Sequence, residues 1–356
     1  MNSTLSPEQI PYLPQDPQRR DQPIGLIGCG GITKHHLSAY RAAGYPVVAL
    51  CDINRANAEA RRVEFFPDAD VYENFEDVLR RDDITVVDIA THPAVRAEMI
   101  EAAIEAGKHI LSQKPFVLDL DVGMRLVELA ESKGVLLAVN QNGRWAPHFR
   151  YLLEATHHGL LGRIAAAHLS VHWDHSWVKG TAFEHIHSLI LYDYAIHWFD
   201  MVNALLTPRN ARRVYATTSH SPWQQIAPPL QAQAIIEYDD VQVSLAFDGN
   251  TLFNSQDRTY VTGELGTIFS VGPGNKEQSL TITTEQGDYC PPLTGSWFPD
   301  GFHGTMGELL RSIEEKRTPT IDARRNLDSL ALCFAAVASA ERHQPIIPGE
   351  VRRLEA

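Results

Sequence analysis

The stretch from Pro23 to Asp52, PIGLIGCGGITKHHLSAYRAAGYPVVALCD, constrains the fold more than any other part of the chain. An apolar run, Ile24 to Ile27, stops at Gly28-Cys29-Gly30-Gly31. Apolar residues then recur at Ile32, Leu37, Tyr40 and Ala43, a helical spacing that closes at Gly44. A second apolar run, Val47 to Leu50, ends on an acid, Asp52. Strand, glycine turn, helix, strand and acid, in that order, predict a β-α-β unit of the dinucleotide-binding kind.

Each part answers a physical need. Gly28 permits the tight turn, and Gly30 lets the backbone come close to a pyrophosphate. Gly31 and Ile32 lead into a helix N-terminus, whose N–H groups and partial positive charge suit phosphates. Asp52, about 20 residues beyond the glycines, is placed to accept hydrogen bonds from the adenosine ribose. Its charge repels a 2′-phosphate, so NAD is expected over NADP. Arg55, just past the strand, is the counter-argument, since an arginine there can contact such a phosphate. Thr33 stands at the third fingerprint position and predicts slightly wider packing of helix on strand.

The length of 356 residues suits two domains, and 44% hydrophobic residues supply ample core. A net charge of −13 argues against a nucleic-acid or anionic-membrane partner. The cysteines, Cys29, Cys51, Cys290 and Cys333, form no metal-type pair and read as reduced thiols of a cytoplasmic protein. No run is long and apolar enough to span a bilayer, and the N-terminus has no apolar signal core. Residues 1–22, with Pro7, Pro11, Pro14 and Pro17, form an arm. It reads either as a disordered tail or as an extended segment lying along a partner subunit.

After Asp52 the alternation continues. Helices are expected at Asn54 to Glu64, Asn74 to Arg81, Ala94 to Ala106 and Asp119 to Lys133. Strands are expected at Val71-Tyr72, Ile84 to Ala90, His109 to Leu111 and Val135 to Val139. Residues 23–145 are thus predicted to form a doubly wound parallel sheet. From 146 onward the pattern changes. A helix at Pro147 to His157 leads to a strand at Ile164 to Trp173 and a long helix at Leu189 to Leu206. Strands with hairpin turns at Asp239-Asp240 and Glu264-Leu265 then predict an antiparallel sheet in a second, α+β domain. Two helices, Gly304 to Lys316 and Arg324 to His343, close the chain, the last expected to pack back on the first domain.

Four stretches carry a resemblance to a known family: GLIGCGGIT at Gly25 to Thr33, AGKHILSQKP at Ala106 to Pro115, VNQNGRWAP at Val139 to Pro147, and DYAIHWFD at Asp193 to Asp200. The chain resembles the glucose–fructose oxidoreductase, inositol dehydrogenase and rhizopine-catabolism (Gfo/Idh/MocA) family from Pro23 onward. The resemblance implies a Rossmann domain followed by a domain with an open-faced, mostly antiparallel sheet. It also implies NAD or NADP as cofactor and sugars, polyols or their acids as substrates.

The residues expected to do chemistry follow from their own properties and from that resemblance. Lys114 lies on the loop after a strand and resembles the lysine of the family's Glu-Lys-Pro motif, which reaches both nicotinamide and substrate. A cation there holds the reacting hydroxyl and stabilises alkoxide charge. The family's glutamate is Gln113 here. Asp193 and His197, four apart, share a helix face and match the family's second motif. His197 is the expected general base, and Asp193 orients it or binds a neighbouring hydroxyl. Thr91, His92 and Pro93 flank the cofactor on a strand-end loop, and Arg96 stands where many members have histidine. The amides of Asn140, Gln141 and Asn142 are available to the nicotinamide ribose or the substrate. Arg144 binds a substrate hydroxyl or supports the domain junction; the two readings stand side by side. In the segment His172 to His187, Trp173 and Trp177 are candidates to stack on a sugar ring. The histidines there, with Glu184, match no defined metal pattern, and no metal is expected.

The expected function is hydride transfer between NAD and a carbinol of a sugar, polyol or sugar acid, in a homodimer or homotetramer. Two alternatives keep the dinucleotide: a glycosidase that recycles NAD, and a non-catalytic dinucleotide-binding regulator.

Overall fold

The first apolar run becomes the middle of a sheet because both of its faces are covered. In the computed structural model, which describes residues 5–186, 188–272 and 278–354, β1 (Ile24–Ile27) has all four residues buried. It is followed by α1 (Thr33–Ala43), β2 (Val47–Cys51), α2 (Arg55–Phe65), β3 (Asp70–Tyr72), α3 (Phe75–Leu79), β4 (Val86–Ile89), α4 (Pro93–Glu105), β5 (His109–Gln113), α5 (Leu120–Lys133) and β6 (Leu137–Asn140). The strands lie in the order β3-β2-β1-β4-β5-β6, all parallel. This is the Rossmann order, and it reverses between β1 and β4. The predicted doubly wound sheet is therefore present. Local signals set its helix ends. Asn54 Oδ1 accepts from Ala56 N at 3.1 Å as the cap of α2, and Gly44 takes φ 75° at the end of α1.

This unit comprises Pro14–Trp145 and a returning segment, Phe298–Leu327. Phe302, Met306, Leu309, Leu310 and Ile321 from the returning segment join Ile24, Leu26, Val86 and Leu111 in one buried core. Gly304 lets the segment sit against Trp145, since a Cβ there would lie 2.1 Å from the indole Cγ.

The second unit comprises the segment ending at Leu13, Ala146–Trp297 and the chain from Asp328 onward. It contains α6 (Pro147–His157), β7 (Ile164–His172), α7 (Ile196–Leu206), β8 (Arg213–Ser219), β9 (Gln231–Glu237), β10 (Gln242–Asp248), β11 (Gln256–Gly263), β12 (Gly266–Gly272), β13 (Ser279–Thr284) and β14 (Gly287–Tyr289). Helix α8 (Trp297–Glu315) starts here and continues, beyond a non-helical Phe298, as the returning segment; α9 (Ala323–Arg342) closes the chain. The eight strands run β14-β13-β12-β11-β7-β10-β9-β8. The two expected hairpins link β9 to β10 and β11 to β12. The sheet is not wholly antiparallel, because β7 pairs parallel with β10. No hairpin joins those two strands, so no turn signal announces the pairing.

Burial alternates along these strands, as in β9, where Ala232, Ala234 and Ile236 are buried and Gln233, Ile235 and Glu237 are exposed. Register lines up a row across the outer face: Tyr215, Ile235, Ser244, His168, Tyr260 and Phe269. Tyr215, Ile235, Tyr260 and Phe269 in that row are exposed.

Two expectations change. The single helix over 189–206 is a π-helical turn, Ile190–Tyr194, followed by α7. Ala195 N bonds Ile190 O at 3.0 Å, and the Cys333 thiol donates to Leu191 O at 3.0 Å. The N-terminal arm, in its described residues, lies on its own chain. Ile10 is buried, Tyr151 donates to Pro7 O at 2.8 Å, and Asp16 accepts from Tyr45 and faces His303 at 2.7 Å. A proline-rich segment cannot build a core, but it loses little entropy when it lies on an existing one. No helix among the described residues is long and apolar enough to cross a membrane.

Candidate active site

The glycine turn leaves Gly28 at φ 91°, and a Cβ there would meet the Ala90 backbone at 3.0 Å. Gly28 is therefore required by the protein itself. Gly30 and Gly31 differ, since a Cβ on either would meet nothing within 4 Å. Packing does not demand those glycines, and the space beside them leaves the backbone open to a close approach. Thr33 Oγ1 bonds Gly30 O at 2.7 Å, so the third fingerprint position braces the turn. Arg61 reaches the same carbonyl at 2.9 Å. The N-cap residue of α1, Ile32, supplies no side-chain cap, and the positive end of the helix dipole lies at the glycine turn.

Asp52 is fixed beside this turn. Its Oδ2 accepts from Cys29 N at 2.8 Å and its Oδ1 from Asn54 N at 2.9 Å. Arg55 faces Glu73 at 3.8 Å and donates to Val71 O at 3.4 Å. Ile53, not singled out in the sequence, is 88% exposed beside Asp52. Burial and the nearby Asp52 push the Cys29 thiol up to about 12, so no thiolate forms in the turn. These residues fit a dinucleotide with free ribose hydroxyls.

Across the strand-order reversal, the loop after β4 carries Thr91, with His92 as cap of α4 and Pro93 at its first position. Arg96 lies on the buried stripe Arg96, Ile100, Ala103 and Ile104. Its guanidinium donates to the carbonyls of Thr91, Pro115 and, at 2.5 Å, Gln113. One cation thus ties together the loops after β4 and β5. An arginine at core spacing on a helix was the signal for this role. Lys114 is half-buried at the end of β5, and its N–H donates to Gln113 Oε1 at 2.8 Å.

At the end of β6 the amides divide. Asn140 is not available to a ligand: its Nδ2 faces His36 Nε2 at 3.3 Å and its Oδ1 accepts from Thr305 at 2.9 Å. Gln141 is buried, and neither amide atom has a partner among the described residues. Asn142 turns back to Asn140 O at 3.5 Å. Arg144 is buried and donates to Thr320 O at 2.8 Å, the supporting contact of its two readings.

In the second unit, Asp193 is buried inside the π turn and His197 is half-buried in the first turn of α7. Single π turns inside helices recur at functional sites because they re-aim side chains. The His197 ring lies 5.1 Å from that of Trp297. Trp173 is half-buried within an aromatic cluster with Tyr194, Trp198 and Trp297. Its indole N–H and the Tyr194 hydroxyl are buried without a partner among the described residues. Trp177 is 58% exposed and donates to His175 Nδ1 at 3.2 Å. Glu184 accepts from Gly180 N at 2.7 Å. Among the described residues no three of His, Cys, Asp and Glu gather as metal ligands; His187 lies outside them.

A Rossmann sheet with a glycine turn open to a phosphate, joined in one chain to a unit built on a one-sided sheet, defines a class of nicotinamide-dependent oxidoreductases. The profile described as "Oxidoreductase family, NAD-binding Rossmann fold" matches residues 23–141, and that of the GFO/IDH/MocA C-terminal domain matches 149–269. The chain belongs to the Gfo/Idh/MocA family and is an NAD(P)-dependent oxidoreductase. D-apiose dehydrogenase of Paraburkholderia graminis is 26% identical over 348 residues, covering 93% of this chain and 90% of that protein. Inositol 2-dehydrogenase of Paracoccus denitrificans is 29% identical over 186 residues, covering 51% and 54%. In fold the chain is similar to an oxidoreductase from Agrobacterium radiobacter solved with NAD+, L-tartaric acid and magnesium. That likeness has a TM-score of 0.82 at 19% identity and covers 92% of this chain and 99% of the other.

Proposed function

We propose that the protein oxidises a secondary hydroxyl of a sugar, polyol or sugar acid, with NAD preferred over NADP. The observation that carries the cofactor reading is the empty space at Gly30 and Gly31 beside the fixed carboxylate of Asp52. NAD, when bound, supplies the hydride acceptor. Gly28, Gly30, Gly31, Ile32, Asp52, Thr91, His92, Pro93, Lys114 and Asn142 are proposed to hold it. Lys114 binds the reacting oxygen and lowers the energy of its alkoxide form. His197 takes the hydroxyl proton, and Asp193 orients the imidazole or binds an adjacent hydroxyl. Trp177 offers a free ring face to a sugar, and Trp173 offers its unpartnered indole N–H. The names of the relatives, D-apiose dehydrogenase and inositol 2-dehydrogenase, support carbohydrate chemistry.

The exposed row Tyr215, Ile235, Tyr260 and Phe269 supports a second copy as cover for the open sheet face, hence a homodimer or homotetramer. Cys29, Cys51, Cys290 and Cys333 all stand free, which suits the reducing cytoplasm.

The test is NADH formation with NAD, and separately with NADP, across aldoses, polyols, inositols and sugar acids. Reduction of NAD by one of these groups is expected. Cleavage of aryl glycosides with no net NADH would replace this reading.

A further inference from the structure

The Lys114 loop is braced by a buried polar chain that begins on α1. His36 lies on the buried stripe Thr33, His36, Leu37 and Tyr40 and has no exposed surface. Its Nδ1 is 2.7 Å from Asp88 Oδ2, which also accepts the Tyr40 hydroxyl at 2.6 Å. Its Nε2 is 3.1 Å from Gln113 Nε2 and 3.3 Å from Asn140 Nδ2. The Phe302 ring covers the imidazole at 4.5 Å.

One donor in this chain is fixed by covalent structure. The backbone N–H of Lys114 points at the Gln113 side chain at 2.8 Å, so the atom there must be the amide oxygen. The Gln113 NH2 therefore faces His36, and an NH2 only donates. His36 Nε2 must then be a lone pair, and the ring proton sits on Nδ1, aimed at Asp88. Turning any one group over would set donor against donor or acceptor against acceptor where water does not reach, at a penalty well above that of an exposed mismatch. Arg96 grips the same loop from the other side through the carbonyls of Gln113 and Pro115.

We infer that His36 is a positioning residue for Lys114: held by Asp88 as the neutral Nδ1–H tautomer, it orients Gln113, which in turn holds the Lys114 backbone. The inference rests on the role proposed above for Lys114. Asp88 from β4, with Tyr40 and the adjacent His35 from α1, are the titratable neighbours; β5, β6 and the returning segment face the ring with Gln113, Asn140 and Phe302.

Two measurements test it on the full chain. The first is nitrogen NMR of ¹⁵N-histidine-labelled protein, with His36→Gln providing the assignment. A protonated Nδ1 and a bare Nε2 are expected. A proton on Nε2 overturns the inference. The second compares two variants. His36→Gln can still place an acceptor before Gln113, whereas His36→Asn can only donate to Asp88. His36→Asn is expected to lower kcat by roughly 10- to 100-fold, with the NAD Kd within about threefold, and His36→Gln to recover most of that loss. Equal defects in both variants, tracking a shared fall in melting temperature, overturn it as merely structural. A Lys114→Ala variant separates the two failures. If that variant turns over normally, the Lys114 reading falls and the inference with it. If it is impaired while the two His36 variants behave alike, the inference alone falls.

Discussion

The two sheets treat their neighbouring residues in opposite ways. In β4 of the Rossmann unit, Val86 and Val87 point to opposite faces, and both are fully buried. In β9 of the second unit, Ile236 is buried and Ile235 beside it is 60% exposed. A sheet covered on both faces has no outside for a polar side chain, so its polar residues must be paired internally. Both ring nitrogens of His36 meet that demand, Nδ1 at Asp88 Oδ2 and Nε2 at the Gln113 amide. In the second unit His148 is equally buried, yet neither ring nitrogen is hydrogen-bonded among the described residues. Burial alone therefore does not mark a working histidine; the partners do.

The comparison can be broken at several points. The largest effects belong to the chemistry proposed for each unit. Lys114→Ala and His197→Ala should each lower kcat by about 10²- to 10⁴-fold; NAD binding, followed by titration calorimetry, should change little in His197→Ala and weaken in Lys114→Ala. Parallel loss of NAD affinity and turnover in His197→Ala, or normal turnover in Lys114→Ala, would remove that residue from its role.

Core truncations come next. Ile236→Ala should destabilise by about 2–5 kcal/mol in chemical denaturation, and Val86→Ala and Val87→Ala should each cost somewhat less. Ile235→Ala should stay within about 0.5 kcal/mol in a monomer. A larger cost that grows with protein concentration would mean that a second copy covers the outer face.

Acid sensitivity should report on His148. Burial holds the His148 imidazole down to about 3 from an ordinary 6.5. Its folded value lies below its unfolded one, so its contribution to stability is complete above 6.5. That contribution is lost as the pH falls from 6.5 toward 3, with a slope of up to about 1.4 kcal/mol per pH unit. His148→Leu should flatten that part of the stability profile, and an unchanged profile would show that His148 is not its source.

The smallest effects divide the glycine turn. Gly28→Ala should cost at least about 1–2 kcal/mol, from its left-handed backbone and the contact with Ala90. Gly30→Ala should leave the melting curve within about 0.5 kcal/mol yet weaken NAD binding, by about tenfold. Loss of stability in both variants, with no separate effect on NAD, would remove the argument from open space.

What could be read in advance was local. The glycine turn, Asp52 and the two hairpins each depend on residues within a few positions or on one β-α-β unit. The readings that failed or were missed depend on distant partners. Asn140 seemed free for a ligand, but His36 and Thr305 occupy it. Arg96 seemed only a replaced histidine, but three carbonyls from two loops converge on it. The helix over 189–206 had the right composition, yet periodicity alone cannot reveal one extra residue in a turn.

The sequence by itself determined the Rossmann unit and the one-sided second sheet, because alternation, glycine placement and hairpin turns act over short range. Tertiary structure alone decided which polar groups are occupied. Strand order sets β1 beside β4 and β4 beside β5, and only then can residues 36, 88, 113, 140 and 305 share one dry network. A hydrogen bond between residues so far apart in the chain has no local signature, and burial, which only packing supplies, makes it obligatory.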